Sequence, residues 1–426
     1  MSTTETGFAG APEPLDLPVI KELKRLRLDG VSTVIQVTRP AVDGRYPVIV
    51  FGHGAGTGNH TAFDEHATAL ARRGLVCLAG DKDLRAYSIT RRDYGHMARQ
   101  YADLAAWGRE QAWARPDRVG YYGESEGAWV VPWAASLRRA DFIALVSAPV
   151  VTAREQGLYA IGRYLDAVGA PASVFDAGVR LAGAVAPRGR FEYLDFNLTR
   201  YLPEIDCPVL VVYGAADISM PIVQGAERVM AKVPGPVAVR YYADADHGLR
   251  RGPDKHVSRT FLDDLAAWIE CLEAEPAVAG AQPFQPFAAV TPPRGGAIMA
   301  EAGTGAAALV ALAATGLGAA AGPRLRWPLT LAGAGALATI AAHTRYLYTL
   351  VKLASGYRTD PVAVRLGHQA VRLLGALSLV AAIIAVIRLR DPGTARATAG
   401  ALTGLGGASL LLLLAARWGA FGPFKR

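Results

Sequence analysis

The chain has 426 residues, 51% of them hydrophobic and 19% charged, with a mean hydropathy of +0.20 and a formal net charge of +8. That length suits two or three domains, and so low a charge content with so much apolar surface excludes a disordered chain. The charge is divided: residues 297–426 hold 13 basic and 3 acidic side chains, and residues 1–296 hold 32 and 34, so nucleic acid is excluded as the partner the overall basicity would suggest.

The first 28 residues are Pro-rich and then charged, with no apolar core of a signal peptide, so residues 1–29 read as a polar lead to a cytoplasmic domain. Val31–Thr38 alternates like a strand, and Pro47–Phe51 is a short buried-strand run. The Gly-rich turn Gly52-His53-Gly54-Ala55-Gly56-Thr57-Gly58 follows. Helical periodicity over Ala62–Arg73 stops at Gly74, Leu75–Ala79 reads as a strand, and a long helix is expected over Arg92–Ala114. Arg118–Tyr122 is a strand, Gly123–Gly127 a sharp turn, Ala128–Arg138 a helix and Phe142–Val146 a strand. Residues 152–202 lose the alternation and suggest an inserted cap. Strands at Pro208–Tyr213 and Val237–Tyr242 and a helix at Ser258–Glu273 complete the domain. Strand–helix alternation implies right-handed crossovers and a mostly parallel, doubly wound sheet, with its site at the carboxyl ends of the strands.

Residues 276–296 form a Pro-rich linker. Beyond it, residues 303–322, 327–344, 373–387 and 397–416 carry no charge, and with their flanks they suggest four transmembrane helices. A soluble Ala/Gly-rich helical domain is the alternative. Basic residues favour placing the loop Lys352–Arg372 and the tail Arg417–Arg426 on the side of the first domain.

The chemistry-bearing residues lie after successive strands. In Gly123-Glu124-Ser125-Glu126-Gly127 the glycines permit a strained turn that exposes the Ser125 hydroxyl. A serine hydroxyl needs a base, and His247 in Asp246-His247-Gly248 follows the last strand. The base needs an orienting carboxylate, and Asp217 follows the strand before it. Singly, His247 fits a surface turn and Asp217 a helix cap; together their order and placement point to nucleophile, acid and base. The Gly-rich turn offers the backbone N–H of Ala55, and the turn after Ser125 the N–H of Glu126, as donors to an oxyanion. It lacks the Lys-Ser/Thr of a phosphate-binding loop. Arg85, Arg91, Arg92 and Arg99 would suit an anionic substrate group or, more simply, a solvated helix start. Cys77, Cys207 and Cys271 are too scattered for a disulfide framework, and no spacing implies a metal.

With HGAG at His53–Gly56, GESEG at Gly123–Gly127, YGAAD ending at Asp217 and DHG at Asp246–Gly248, residues 30–275 resemble an α/β-hydrolase of dienelactone-hydrolase or peptidase-like flavour. The resemblance implies Ser125 as nucleophile, His247 as base and Asp217 as its orienter, with no cofactor and no metal. It covers nothing beyond residue 297. The expected activity is a membrane-anchored serine hydrolase acting on a small carboxylic ester or thioester beside a lipid bilayer, where an apolar acyl chain would suit the substrate. A peptidase or acyltransferase using the same triad, and a non-catalytic ligand sensor, are the alternatives.

Overall fold

A computed structural model describes residues 15–56, 58–184, 191–272, 278–280, 282–292, 306, 308–309, 311–313, 323–355, 360–389 and 395–422. The chain divides into two compact units. One comprises residues up to Tyr159 with Pro187–Val290, and the other Ala160–Ala186 with Thr291–Arg426.

The first unit is built on strands β1 (Val19–Leu28), β2 (Val31–Pro40), β3 (Tyr46–Gly52), β4 (Val76–Gly80), β5 (Ala114–Glu124), β6 (Ile143–Val146), β7 (Val209–Gly214), β8 (Val237–Tyr242), β9 (Arg250–Arg251), β10 (His256–Val257) and β11 (Val278–Gly280). Nine of them form one sheet in the order β1-β2-β4-β3-β5-β6-β7-β8-β11. The ladders from β4 to β11 are parallel, whereas β1 pairs antiparallel with β2 and β2 with β4. Helices α1 (Asp64–Arg72), α2 (Tyr94–Arg109), α3 (Gly127–Leu137), α6 (Ile222–Lys232) and α7 (Arg259–Cys271) supply the crossovers and cover the faces. Val48, Val50, Val119, Tyr121, Ile143, Val209 and Val211 face one core cluster; Ile49, Phe51, Tyr122, Phe142, Ala144, Leu210 and Val212 face the other. Successive side chains point to opposite faces, so continuous apolar strands mark a sheet buried on both sides. This is an α/β-hydrolase-like fold.

Several boundaries differ from the sequence expectations. The polar lead contributes a ten-residue edge strand, β1, whose Lys21, Glu22, Lys24, Arg25 and Arg27 masked its strand character and suit an edge facing water. Helix α2 ends at Arg109, not Ala114, because Tyr46 N–H donates to Trp113 O and Ala114 is recruited into the β3–β5 ladder. The expected linker contributes β11, which pairs with β8, while its residues 276–277, 281 and 293–296 lie outside the described ones. In the region read as a cap, α4 (Ala153–Ala167) and α5 (Ala172–Ala184) precede three short 3-10 turns at Glu192–Asp195, Leu198–Arg200 and Leu202–Glu204.

The second unit contains α8 (Pro323–Ser355), α9 (Pro361–Arg388) and α10 (Ala395–Arg417). Tyr164, Leu165, Val168, Ala170 and Val174 of the insertion share a buried cluster with Tyr346, Leu350, Val364, Val371, Ala415 and Ala420. At Gly335 a Cβ would lie 2.9 Å from the Ser378 Cβ, so this small residue sets the α8–α9 approach, and Ser378 Oγ donates to Ala332 O at 2.6 Å. His343 and His368 donate to the Trp418 and Gly422 carbonyls at 2.8 and 2.9 Å, satisfying acceptors just past the end of α10.

Where four spans were expected, two helices among the described residues are long and apolar enough to cross a membrane: Pro361–Arg388 and Thr398–Arg417. Of the first expected span, 303–322, only residues 306, 308–309 and 311–313 are described. The second falls in α8, where Pro328, Thr330, Thr339, His343, Thr344 and Arg345 dilute the apolar content.

Candidate active site

The candidate residues lie just past the carboxyl ends of parallel strands: Ala55 after β3, Ser125 after β5, Asp217 after β7 and His247 after β8. At Ser125 the chain turns from β5 into α3 with φ +53°, a left-handed conformation that is strained for a serine. Ser125 N–H donates to Val146 O at 2.9 Å, tying the turn to the end of β6. The turn is possible because Gly127 carries no side chain: a Cβ there would collide with the Gly52 carbonyl. At Gly54, a Cβ would stand 3.7 Å from that of Ser125, so the Gly-rich turn and the serine are neighbours.

His247 Nδ1 donates to Asp217 Oδ2 at 2.8 Å. The other oxygen of Asp217 accepts from the Ser219 N–H at 2.7 Å and from Ser219 Oγ at 2.6 Å. Two further contacts hold the histidine loop. Ser147 Oγ donates to His247 O at 2.6 Å, and Ala216 N–H donates to Ala245 O at 3.0 Å. Gly214 makes room for this loop, since a Cβ there would strike the Ala245 and Asp246 carbonyls. Among the described residues the Ser125 hydroxyl takes no hydrogen-bond partner, an arrangement common where a catalytic contact tightens only around substrate.

Burial alone would push the His247 imidazole down, but Asp217, with Glu124 and Asp246 beside it, holds it above its ordinary value. Burial would push Asp217 up; His247 and Ser219 keep it below the usual carboxylate range. Glu124 moves the other way. Burial raises it despite the nearby His247 and a 3.2 Å hydrogen bond from Tyr122 OH.

Neither the Ala55 nor the Glu126 backbone N–H donates to a protein acceptor among the described residues, as two donors kept for a ligand oxygen would require. His53, two residues before Ala55 in the Gly-rich turn, is structural: its Nε2 bonds Gly80 O at 2.6 Å and burial pushes its imidazole down to about 4.

The arginines divided after folding. Arg85 pairs with Asp83 and Arg99 with Asp29, while Arg92 reaches the Glu126 carboxylate at 2.5 Å. Residues the sequence did not single out also meet here: Lys82, Tyr87, Tyr94 and Ser219. Of these, Ser219 had a local signal, two residues past Asp217; the others are remote in sequence and join through the fold.

The topology and the turn at Ser125 define the class of fold; comparison with known proteins adds its neighbours. No family model and no curated protein matches the chain. Among solved structures it is similar to a dienelactone hydrolase from Anabaena variabilis, at 18% identity over 60% of this chain and 98% of that one, with a TM-score of 0.41. A 2,6-dihydroxy-pseudo-oxynicotine hydrolase matches at 18% identity over 63% of this chain and 72% of its own, with a TM-score of 0.42. An esterase from Pyrobaculum calidifontis matches at 18% identity over 61% and 86%, with a TM-score of 0.40.

Proposed function

We propose that this chain is a membrane-associated serine hydrolase that cleaves carboxylic ester or thioester bonds through an acyl-enzyme. The observation that carries the reading is the 2.8 Å His247–Asp217 hydrogen bond, on strand-end loops of the same sheet whose β5–α3 turn presents Ser125 at φ +53°. Ser125 Oγ attacks the carbonyl carbon while its proton passes to His247 Nε2, giving a tetrahedral oxyanion. That oxygen lies against the Ala55 and Glu126 N–H groups. Collapse breaks the bond to the alcohol or thiol, which takes the proton from His247. Water, deprotonated by the same imidazole, then releases the acid and restores the serine. Asp217 fixes the His247 tautomer and stabilises the imidazolium throughout.

Membrane association is supported by the outer faces of the C-terminal helices. Leu373, Leu377, Val380, Ile383 and Ile387 of α9 are all at least half exposed, and only 33% of its apolar window is buried. A core helix of a soluble protein would bury that stripe; a lipid-facing helix would not. A cytoplasmic hydrolase domain is the orientation favoured by the basic residues Lys352, Arg358, Arg365, Arg372, Arg417, Lys425 and Arg426 under the positive-inside rule.

The test is Ser125→Ala. Turnover of a short-chain p-nitrophenyl ester and labelling by a fluorophosphonate should both vanish while folding is kept; persistence of both would refute the mechanism. Flotation of the full chain with phosphatidylcholine vesicles tests the membrane reading, which fails if the protein stays in the dense fraction.

A further inference from the structure

Behind the two candidate oxyanion donors lies a buried charged cluster. Glu126 is 1% exposed. Oε2 accepts from Lys82 Nζ at 2.9 Å and Tyr87 OH at 2.7 Å; Oε1 accepts from Arg92 Nη1 at 2.5 Å and Tyr94 OH at 3.0 Å. The Lys82 side chain is equally buried, and its three N–H groups are all used. Besides Glu126 it donates to Gly54 O at 2.8 Å and to Gly56 O at 3.1 Å. Tyr87 OH also accepts from the Gly56 N–H at 3.0 Å.

These contacts act on Ala55 through covalent geometry. The Gly54 carbonyl and the Ala55 N–H belong to one planar trans peptide, so they point in opposite directions. An ammonium that holds Gly54 O therefore aims the Ala55 N–H away from itself. The next peptide, joining Ala55 to Gly56, is held through its N–H by Tyr87. Both peptides flanking Ala55 are thus fixed to the carboxylate of the residue that supplies the second donor.

We propose that Lys82, Tyr87 and Glu126 form a buried strut that sets the two oxyanion donors in register and, through the Lys82–Gly54 contact, polarises the Ala55 N–H toward a developing negative charge. The inference rests on the serine-hydrolase reading above. Lys82 and Tyr87 are positioning residues that do not touch the substrate. A cationic donor on a carbonyl strengthens the hydrogen bond made by the N–H of the same peptide, because aligned dipoles polarise one another in a low-dielectric setting. Burial alone would push Glu126 up, but Lys82 and Arg92 hold it below the usual carboxylate range, so it is anionic near neutrality; burial draws the Lys82 ammonium down against the opposing pull of Glu126.

The test compares Lys82→Met and Tyr87→Phe with the full-length parent. Ester turnover is normalised to sites titrated with a fluorophosphonate, and affinity is measured for a trifluoromethyl ketone that forms a tetrahedral adduct. Lys82→Met should lower kcat by about 100-fold and Tyr87→Phe by about tenfold, with KM within about twofold and ketone affinity falling in parallel with kcat. A residue that merely supports the fold would lower the titratable fraction and the melting temperature, not kcat per titrated site. Unchanged kcat per site and unchanged ketone affinity in folded Tyr87→Phe overturn the proposal, including the case in which Lys82→Met does not fold. Amide exchange separates this from failure of the hydrolase reading. Even in a parent that turns over no ester, exchange at Gly56, whose N–H is bonded to the Tyr87 hydroxyl, should quicken at least about tenfold in Tyr87→Phe, since an exchange rate follows the population of open states. Unchanged exchange there overturns the strut.

Discussion

Asp217 divides its two oxygens between a partner that would move a proton and one that only holds it. His247 Nδ1 bonds one oxygen, while Ser219, through its N–H and hydroxyl, bonds the other. Asp217→Asn should lower kcat about 10³- to 10⁴-fold, by favouring the wrong imidazole tautomer. Ser219→Ala, which loses one side-chain hydrogen bond, should cost about fivefold. The pH profile follows from the charge around His247. Its imidazole is held above the ordinary 6.5 and must be neutral to accept a proton, so kcat/KM should climb with pH and inflect above 6.5. In Asp217→Asn that inflection should move to lower pH, measured on the residual activity.

His66 titrates in the opposite sense. It is buried among Phe51, Phe63 and Tyr122, neither ring nitrogen has a hydrogen-bond partner among the described residues, and burial pushes it down to about 4. Between 6.5 and about 4 the unfolded chain binds more protons than the folded one. The stabilising contribution of the neutral ring is therefore complete above 6.5 and declines as pH falls through that window. His66→Leu should remove about 3 kcal/mol of acid sensitivity, seen as a flatter melting temperature between neutral and acid pH.

At the scale of elements, three parallel strands end in loops that must approach one another without side-chain interference. Gly214 ends β7 directly beneath the Ala245 and Asp246 carbonyls of the His247 loop. Gly214→Ala should push that loop outward, lowering kcat by at least about tenfold and stability by about 1–3 kcal/mol, with slower fluorophosphonate labelling. The strands themselves were legible because parallel, doubly covered strands are continuous apolar runs: Val237–Tyr242 has the same limits in sequence and structure. Edges and helix ends were less so. Strand β1 is rich in charge because it borders the sheet, and α2 gives way to β5 where Trp113 and Ala114 pair with Tyr46; neither fact is local to the residues concerned.

At the scale of the molecule, Ala160–Ala186, part of the insertion between β6 and β7, belong by their packing with the C-terminal helices. Tyr164, Leu165, Val168 and Val174 are each 5% exposed or less within a cluster built with α8, α9 and α10, and Ser173 Oγ donates to Gly419 O at 3.2 Å. Removing residues 297–426 would leave these side chains uncovered. The truncated protein should bind an apolar dye strongly and self-associate, checked by dye fluorescence and size-exclusion chromatography; a monodisperse, non-binding product would show that the insertion folds without the tail. An isolated anchor would have no such consequence for residues so much earlier in the chain.

The sequence by itself determined the class of sheet, through the alternation of apolar strands with amphipathic helices. It also singled out Ser125, Asp217 and His247 as candidates, because each follows a strand and strand ends in such a sheet converge. Its charge division marked the basic, apolar last third, although the four spans read there reduce to two apolar and long enough among the described residues. Only the tertiary structure decided that Lys82, Tyr87, Arg92 and Tyr94 meet at Glu126, and that residues 160–186 share a core with the tail. Those contacts join side chains 32 to 256 residues apart in the chain, at positions set by the sheet and the helix packing, and no local pattern of residue types carries that separation.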